Sequence, residues 1–394
     1  MLIEIHILQN HAPSNLNRDD TGSPKSAVFG GVPRGRISSQ ALKRAIRRSD
    51  VFQEALAGRL ATRTRQLPEL VRAELLKRGF PEALAQIGAA KASGFGNKEG
   101  KEAKPGEDGA LETAQTMFLT DADVGAVADV LANAFDKAGR DPKKCLAVKA
   151  KDLQKDPALE GFRPLTVDVS LFGRMITSEA FRDADAAMQV AHAISTHRLE
   201  QEYDYFTAVD DLQRISDGDD AGADMIGDVE FNSACYYKYF SLDVSELVGN
   251  LTGERVYDRH ASPEEQGAAR EVAAVTVEAF LRAAALTSPS GKQNTFAAHQ
   301  VPALVFVEVR PTRTPISYAN AFVKPVAASR EQSLVDASVE RLSGHVERLT
   351  TAFDLSTSAR LVLEPEGNLF SASGTERVSS LGAMCGRLRE ILHA

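Results

Sequence analysis

Tryptophan is absent from this chain of 394 residues, and cysteine occurs only three times. Cys145, Cys235 and Cys385 are far apart, odd in number and in no metal-ligand spacing, which argues against a disulfide framework or a zinc site. They read as structural thiols of a reducing compartment, so the expected location is cytoplasmic. Aromatic residues make up only 6% of the chain, too few for a broad stacking platform. No apolar run approaches the roughly 18–20 residues of a membrane span, and no membrane partner is expected. The opening MLIEIHILQ has neither a basic leader nor a long apolar core, so it does not read as a signal peptide. Nucleotide cradles of the GxxxxGKS/T or GxGxxG type are missing as well.

What remains is the composition of a soluble protein, 43% hydrophobic and 25% charged, with length enough for two or three cores. The net charge of −8 argues against binding nucleic acid by bulk charge but leaves room for a narrow basic groove. Such a groove is suggested by residues 10–48, NHAPSNLNRDDTGSPKSAVFGGVPRGRISSQALKRAIRR. Residues 1–50 hold eight Lys/Arg against four Asp/Glu. A polar loop carries Arg18 and Lys25, a Gly-rich turn carries Arg34 and Arg36, and a helix follows at about residues 39–48. Ser38 or Ser39 is a fitting N-cap, because its hydroxyl accepts from an orphan backbone N–H. Lys43 and Arg47, four apart, share one face; Arg44 and Arg48 form a neighbouring ridge. An amphipathic helix alone needs no ligand. Six or more cations converging from loop, turn and helix do call for an anion, and the free N–H groups of a helix start suit phosphate.

Competing chemistry is weaker. Asp19 and Asp20 are suited to forming turns in an Asn/Asp-rich loop. His192 and His197, read as lying on a helix over residues 183–198, are five apart and so on different faces. Ser288, Ser290 and Lys292 lie near His299 without a GxSxG or SxxK spacing, so a turn with Gly291 is expected, leaving Lys292 for a phosphate. No catalytic constellation, metal site or cofactor site is read here, and a binding protein that is not an enzyme is expected.

Along the chain, residues 2–8 alternate as a strand with one face buried, and residues 165–172, LTVDVSLF, also read as a strand. Residues 121–139 and 271–285 have helical spacing, as do 331–353 and 378–392, while 301–310 is the strongest strand. Residues 94–112 are Gly-rich and charged with both signs, and read as a mobile loop. Residues 200–230 hold eleven acidic residues and one basic one, Arg214, between two strand-like runs, the pattern of a long hairpin. Strands and helices mix without βαβ alternation, so the fold class is α+β.

Several blocks resemble one family. PSNLNRDDTGSPKSAVFGGVPRGRISSQALKRA, SLFGRMITS (170–178), QVAHAISTHRLEQEYDYFTAVDDL (189–212), SPSGKQNTFAAH and SYANAFVKPV (317–326) are similar, in order, to CasC, the backbone subunit of the type I-E CRISPR Cascade complex. The resemblance implies a modified RNA-recognition-motif (ferredoxin-like) palm in residues 1–55 and 233–394, with helical fingers over 56–165. It further implies a palm/fingers junction over 166–199 and a thumb hairpin over 200–232. The implied function is non-catalytic binding of CRISPR RNA in antiviral defence. Copies polymerise along the guide RNA in a ribonucleoprotein with large, small, capping and RNA-processing subunits, and target DNA is met through the guide. Matched to the family's guide-binding positions are Arg18, Lys25, Ser38, Gln40, Lys43 and Arg47, with Met175, Phe206 and Thr207 beside kinked bases. The alternative is a metal-dependent target-RNA endonuclease of the related superfamily, in which Asp19 or Asp20 is the candidate residue.

Overall fold

The computed structural model describes residues 1–107, 109–208 and 225–393. The centre of the acidic segment, including Arg214, lies outside the described residues. The chain divides into two units. A sheet unit comprises Met1–Glu54, Gln189–Asp243 and Val277–Ala394, and a helical unit comprises Ala55–Met188 and Val244–Thr276.

The sheet unit is built on the first strand, Leu2–Ser14, which lies between Leu304–Arg310 and the long strand Met225–Asp243, antiparallel to both. Ala359–Leu363 and Glu376–Arg377 extend the sheet on one side; Ala193–Ser195, Val32–Ile37 and Ser26–Phe29 extend it on the other. A strand in the middle of a sheet has both faces available for covering. Here both are covered: residues 2–9 of the first strand are all buried, where the sequence pattern suggested one buried face.

Ile3, Ile5 and Ile7 form the apolar side of this strand. Neighbouring Phe240, from the long strand, meets Phe280 of the helix Pro263–Leu286 edge-on at 5.2 Å between ring centres. Glu4 and His6 lie on the opposite face, and they are buried because that face carries its own polar partners. Glu4 accepts hydrogen bonds from the Tyr239 hydroxyl and the Ile316 N–H, both at 2.6 Å, and pairs with Arg310. Arg310 and Arg360 both pair with Glu308, at 2.6 and 2.9 Å. Two carboxylates and two guanidiniums therefore balance in a buried cluster, the condition under which buried charge is tolerated. His6 donates or accepts at the Tyr237 hydroxyl, 2.8 Å away, and sits among Tyr239, Phe306 and Tyr318 rings. Burial lowers its pKa to about 3, so it is neutral. The helix Leu334–Ala352 contributes Val339, Leu342 and Val346 to the same core.

The hairpin reading of the acidic segment is matched by Glu202–Ala208 pairing antiparallel with the start of the long strand, Glu202 opposite Phe231 and Phe206 opposite Gly227.

In the helical unit, Leu67–Lys77, Glu82–Ser93 and Asp121–Lys137 bury Val71, Leu75, Leu84, Leu131 and Phe135 against one another. Thr120 and Asp123 form a reciprocal capping box at the start of the third helix. Among the described residues of 94–112 the one helical element is a short turn at Gly94–Gly96. That stretch is anchored at its start by fully buried Phe95 and by the Lys91–Glu102 ion pair at 2.8 Å.

Two local readings are corrected. Residues 167–172 form a helix, Val167–Phe172, rather than a strand. A short segment buried on nearly all sides shows no usable period, and here the terminating residue is Gly173 in the left-handed region, φ +79°. Residues 183–198 are not helical; they contain Met188–Val190 and Ala193–Ser195 as strands. His192 and His197 are therefore on extended chain, where His192 Nδ1 lies 3.0 Å from Arg36 Nη1 and His197 is the partner of the Cys235 N–H. All three cysteines are free and buried.

Candidate nucleic-acid interface

The basic helix forms as expected, Ser39–Arg48, with Ser38 as N-cap accepting from the Ala41 N–H at 3.3 Å. Its placement depends on the loop before it. The Asn17 side-chain oxygen accepts from the Ser38 N–H at 2.8 Å, and the Asn17 carbonyl accepts from the Lys25 N–H at 2.8 Å. Asp19 closes the loop from inside, its carboxylate accepting from Thr21 Oγ1 at 2.7 Å and from the Thr21 and Ser23 N–H groups at 3.0 Å. These bonds, the Thr21 hydroxyl first, hold the Asp19 pKa below the ordinary carboxylate value. Asp19 thus works as loop scaffold.

Within the helix, Leu42 and Ile46 are the buried stripe. Each residue turns about 100° round the axis, so Lys43 and Arg47 flank that stripe and Arg44 and Arg48 stand nearly opposite it. The structure agrees: Lys43 and Arg47 are half-buried, whereas Arg44 and Arg48 are exposed. Burial lowers the Lys43 pKa.

A groove of about 1050 Å³ opens where the polar loop, the helix and Thr287–Gly291 meet. Of the sequence-identified residues it is lined by Arg18, Ser38 and Gln40. Arg44 and Arg48 line it too, while Lys43 and Arg47 do not. The far wall is fixed by close packing, since a Cβ on Gly291 would lie 2.4 Å from the Leu16 carbonyl oxygen. Lys292, next to this wall, is half-buried and takes a left-handed φ of 45°. Lys25 is half-buried on the same loop but is not part of the groove lining.

Two cations counted toward the anion site have other roles. Arg34 is fully buried and donates to the carbonyls of Ser195, Thr196, Phe322 and Val323 at 2.7–3.1 Å, tying the Gly-rich turn to the sheet. Arg36 is held by the Ser26 carbonyl at 3.1 Å and by His192. Burial explains what the sequence could not show, because a buried arginine and a solvated one are spelled alike.

Phe206 and Thr207 lie on the hairpin strand, and the Phe206 ring covers Gly227, where a Cβ would come within 2.6 Å of it. Tyr203 and Tyr205, which the residue-by-residue reading missed, are 63% and 64% exposed on that strand. The signal was available: exposed aromatics on a two-stranded arm have no core to enter. Met175 belongs to the helical unit and is 89% exposed. Its neighbours are fastened, Arg174 by Asp123 at 2.7 Å and the Ile176 N–H by Asp183 at 2.7 Å, so a flexible apolar side chain is presented from a rigid base. Among the described residues no cluster of His, Cys, Asp or Glu is arranged to hold a metal ion. Nor is any helix among them long and apolar enough to cross a membrane.

Comparison with known proteins places this geometry in context. A solved chain described as "CRISPR RNA-guided surveillance complex, pre-nicking" is 30% identical and superposes with a TM-score of 0.80, with all of both chains covered. Another, described as "CRISPR RNA-guided surveillance complex", is 26% identical with a TM-score of 0.70, covering 99% of this chain and 100% of that one. Among curated proteins none matches. The family model for CT1975-like proteins matches residues 3–386, nearly the whole chain: the protein belongs to the CT1975-like family.

Proposed function

We propose that this chain is a non-catalytic, CRISPR RNA-binding backbone subunit of a type I-E Cascade surveillance complex. In this reading copies polymerise along the guide RNA, and the bases they present pair with target DNA in antiviral defence. The sheet unit acts as a palm derived from an RNA-recognition motif, the helical unit as fingers, and the acidic hairpin as a thumb.

The observation that carries the reading is the groove where Arg18, Arg44 and Arg48 meet Ser38 and Gln40. Cations, hydroxyls, amides and a helix N-terminus grip a sugar-phosphate backbone without reading sequence. The similarity to chains of RNA-guided complexes supports it. Ordering the guide lowers the entropy cost of forming the RNA–DNA hybrid.

The test is co-purification. The chain, expressed with its operon partners and a CRISPR array, carries RNA of discrete length bound stoichiometrically; protein free of RNA under these conditions overturns the proposal. A second assay addresses catalysis. With Mg²⁺ and RNA complementary to the guide, the target stays intact. Periodic cleavage that disappears in Asp20→Ala would instead establish an endonuclease.

A further inference from the structure

The groove described above contains a feature that phosphate binding leaves unexplained. Asp20 lines it beside three arginines. A carboxylate facing a phosphodiester is repulsive, and removing it would improve a site meant for anions alone. Asp19, its neighbour, has a structural task in the loop, but the Asp20 carboxylate has no hydrogen bond or ion pair among the described residues. The side chains of Arg18, Arg44 and Arg48 form no ion pairs among those residues either. The groove thus offers unpaired cationic donors and one unpaired carboxylate on a frame fixed by the Asn17–Ser38 bond and the Gly291 contact.

A ligand matching this set brings an anion and a hydroxyl donor together. A ribonucleotide backbone does so at every residue, because the 2′-hydroxyl stands near the phosphate, and deoxyribose lacks it. We infer that this groove selects RNA over DNA: Arg18, Arg44 and Arg48 hold a phosphate, and the Asp20 carboxylate accepts a hydrogen bond from the adjoining 2′-hydroxyl. The inference rests on the guide-binding reading and adds its sugar specificity. It also assigns the outward pair of the helix, Arg44 and Arg48, to phosphate.

The test measures binding of the full chain to a single-stranded RNA and to the 2′-deoxy strand of the same base sequence, across a salt series. Wild type prefers RNA. Asp20→Ala lowers the RNA-to-DNA affinity ratio about tenfold, the scale of a hydrogen bond to a charged group. Asp20→Asn, which loses the charge but keeps a neutral acceptor, lowers the ratio less, by about threefold, because a neutral hydrogen bond is roughly half as strong as a charge-assisted one. Arg44→Ala with Arg48→Ala weakens both strands, leaves the ratio, and reduces the salt slope by about 0.7, the value of one single-strand phosphate contact. Circular dichroism confirms that each variant is folded. An unchanged ratio in Asp20→Ala, or an unchanged slope in the arginine pair, overturns the corresponding assignment while RNA binding stands. Failure of the wild type to bind either strand overturns the guide-binding reading itself.

Discussion

Asn17 and Ser38 are joined by a 2.8 Å hydrogen bond from the Ser38 N–H to the Asn17 side-chain oxygen, so one carboxamide sets the angle between the polar loop and the basic helix. Asn17→Ala removes an acceptor from a buried N–H and is expected to cost about 1 kcal/mol in a urea titration. Its effect on RNA affinity should be larger than that loss alone implies, because loop and helix separate. Asn17→Asp keeps the acceptor and retains affinity; equal affinity in Asn17→Ala would show that the bond does not position the site.

Lys43 and Arg47 form the second cation ridge of that helix. If the guide runs along this ridge as well, Lys43→Ala with Arg47→Ala weakens RNA binding and lowers the salt slope by about 1.4. Gel shifts at several salt concentrations read both quantities, and unchanged values would remove these residues from the interface.

Gly30 and Gly31 separate two kinds of glycine requirement. Both have left-handed φ values, +64° and +79°. A Cβ on Gly30 would lie 1.9 Å from the Val323 carbonyl oxygen, whereas one on Gly31 meets nothing within 4 Å. Gly31→Ala should cost about 1 kcal/mol from backbone strain alone. Gly30→Ala should cost markedly more, because the displaced Val323 carbonyl also accepts from Arg34. Urea midpoints of the two variants give the comparison directly.

Acid should destabilise the sheet unit through two buried histidines. Burial lowers the pKa of His6 to about 3 and of His11 to about 4, from an ordinary value of 6.5. The unfolded chain therefore takes up protons first, and folding stability falls as pH drops below about 6.5. Between pH 6 and 4 the slope from these two groups is up to roughly 2.7 kcal/mol per pH unit, two protons at about 1.36 each. Urea midpoints measured across this range should flatten in His11→Gln; an unaltered profile would exclude His11 from the effect.

Met175 offers a footprint. Met117, Met188 and Met384 are at most 1% exposed, against 89% for Met175. Dilute peroxide should oxidise Met175 well ahead of those three by mass spectrometry, and bound RNA should protect it if its side chain packs beside a base. Equal oxidation with and without RNA would remove Met175 from the interface.

Much of this was legible in the sequence for a physical reason. The basic helix declared itself through Ser38, the Leu42/Ile46 stripe and the four cations, because local capping and periodicity decide a surface helix. Leu304–Arg310 and the hairpin strands were equally plain. The helix at Val167–Phe172 was not, since a segment buried on several sides loses its period. The separation of Arg34 from Arg44 was hidden too, because it depends on carbonyls contributed by residues some 160 and 290 positions away. The outward position of Arg44 and Arg48 follows from helix rotation once the buried stripe is known.

The buried charges of the first strand have a consequence for alignment during folding. Slipping Leu2–Ser14 by one residue would carry Glu4 and His6 into the layer of Ile3, Ile5 and Ile7, and would leave Arg310 and Arg360 facing isoleucine. An aliphatic strand can shift at modest cost; one that must match two guanidiniums cannot. The polar loop begins where this strand ends, so the position of Asn17 and Arg18 against the basic helix is set by a charge match near the strand's other end. Glu4 therefore acts as an alignment mark for a groove it never touches.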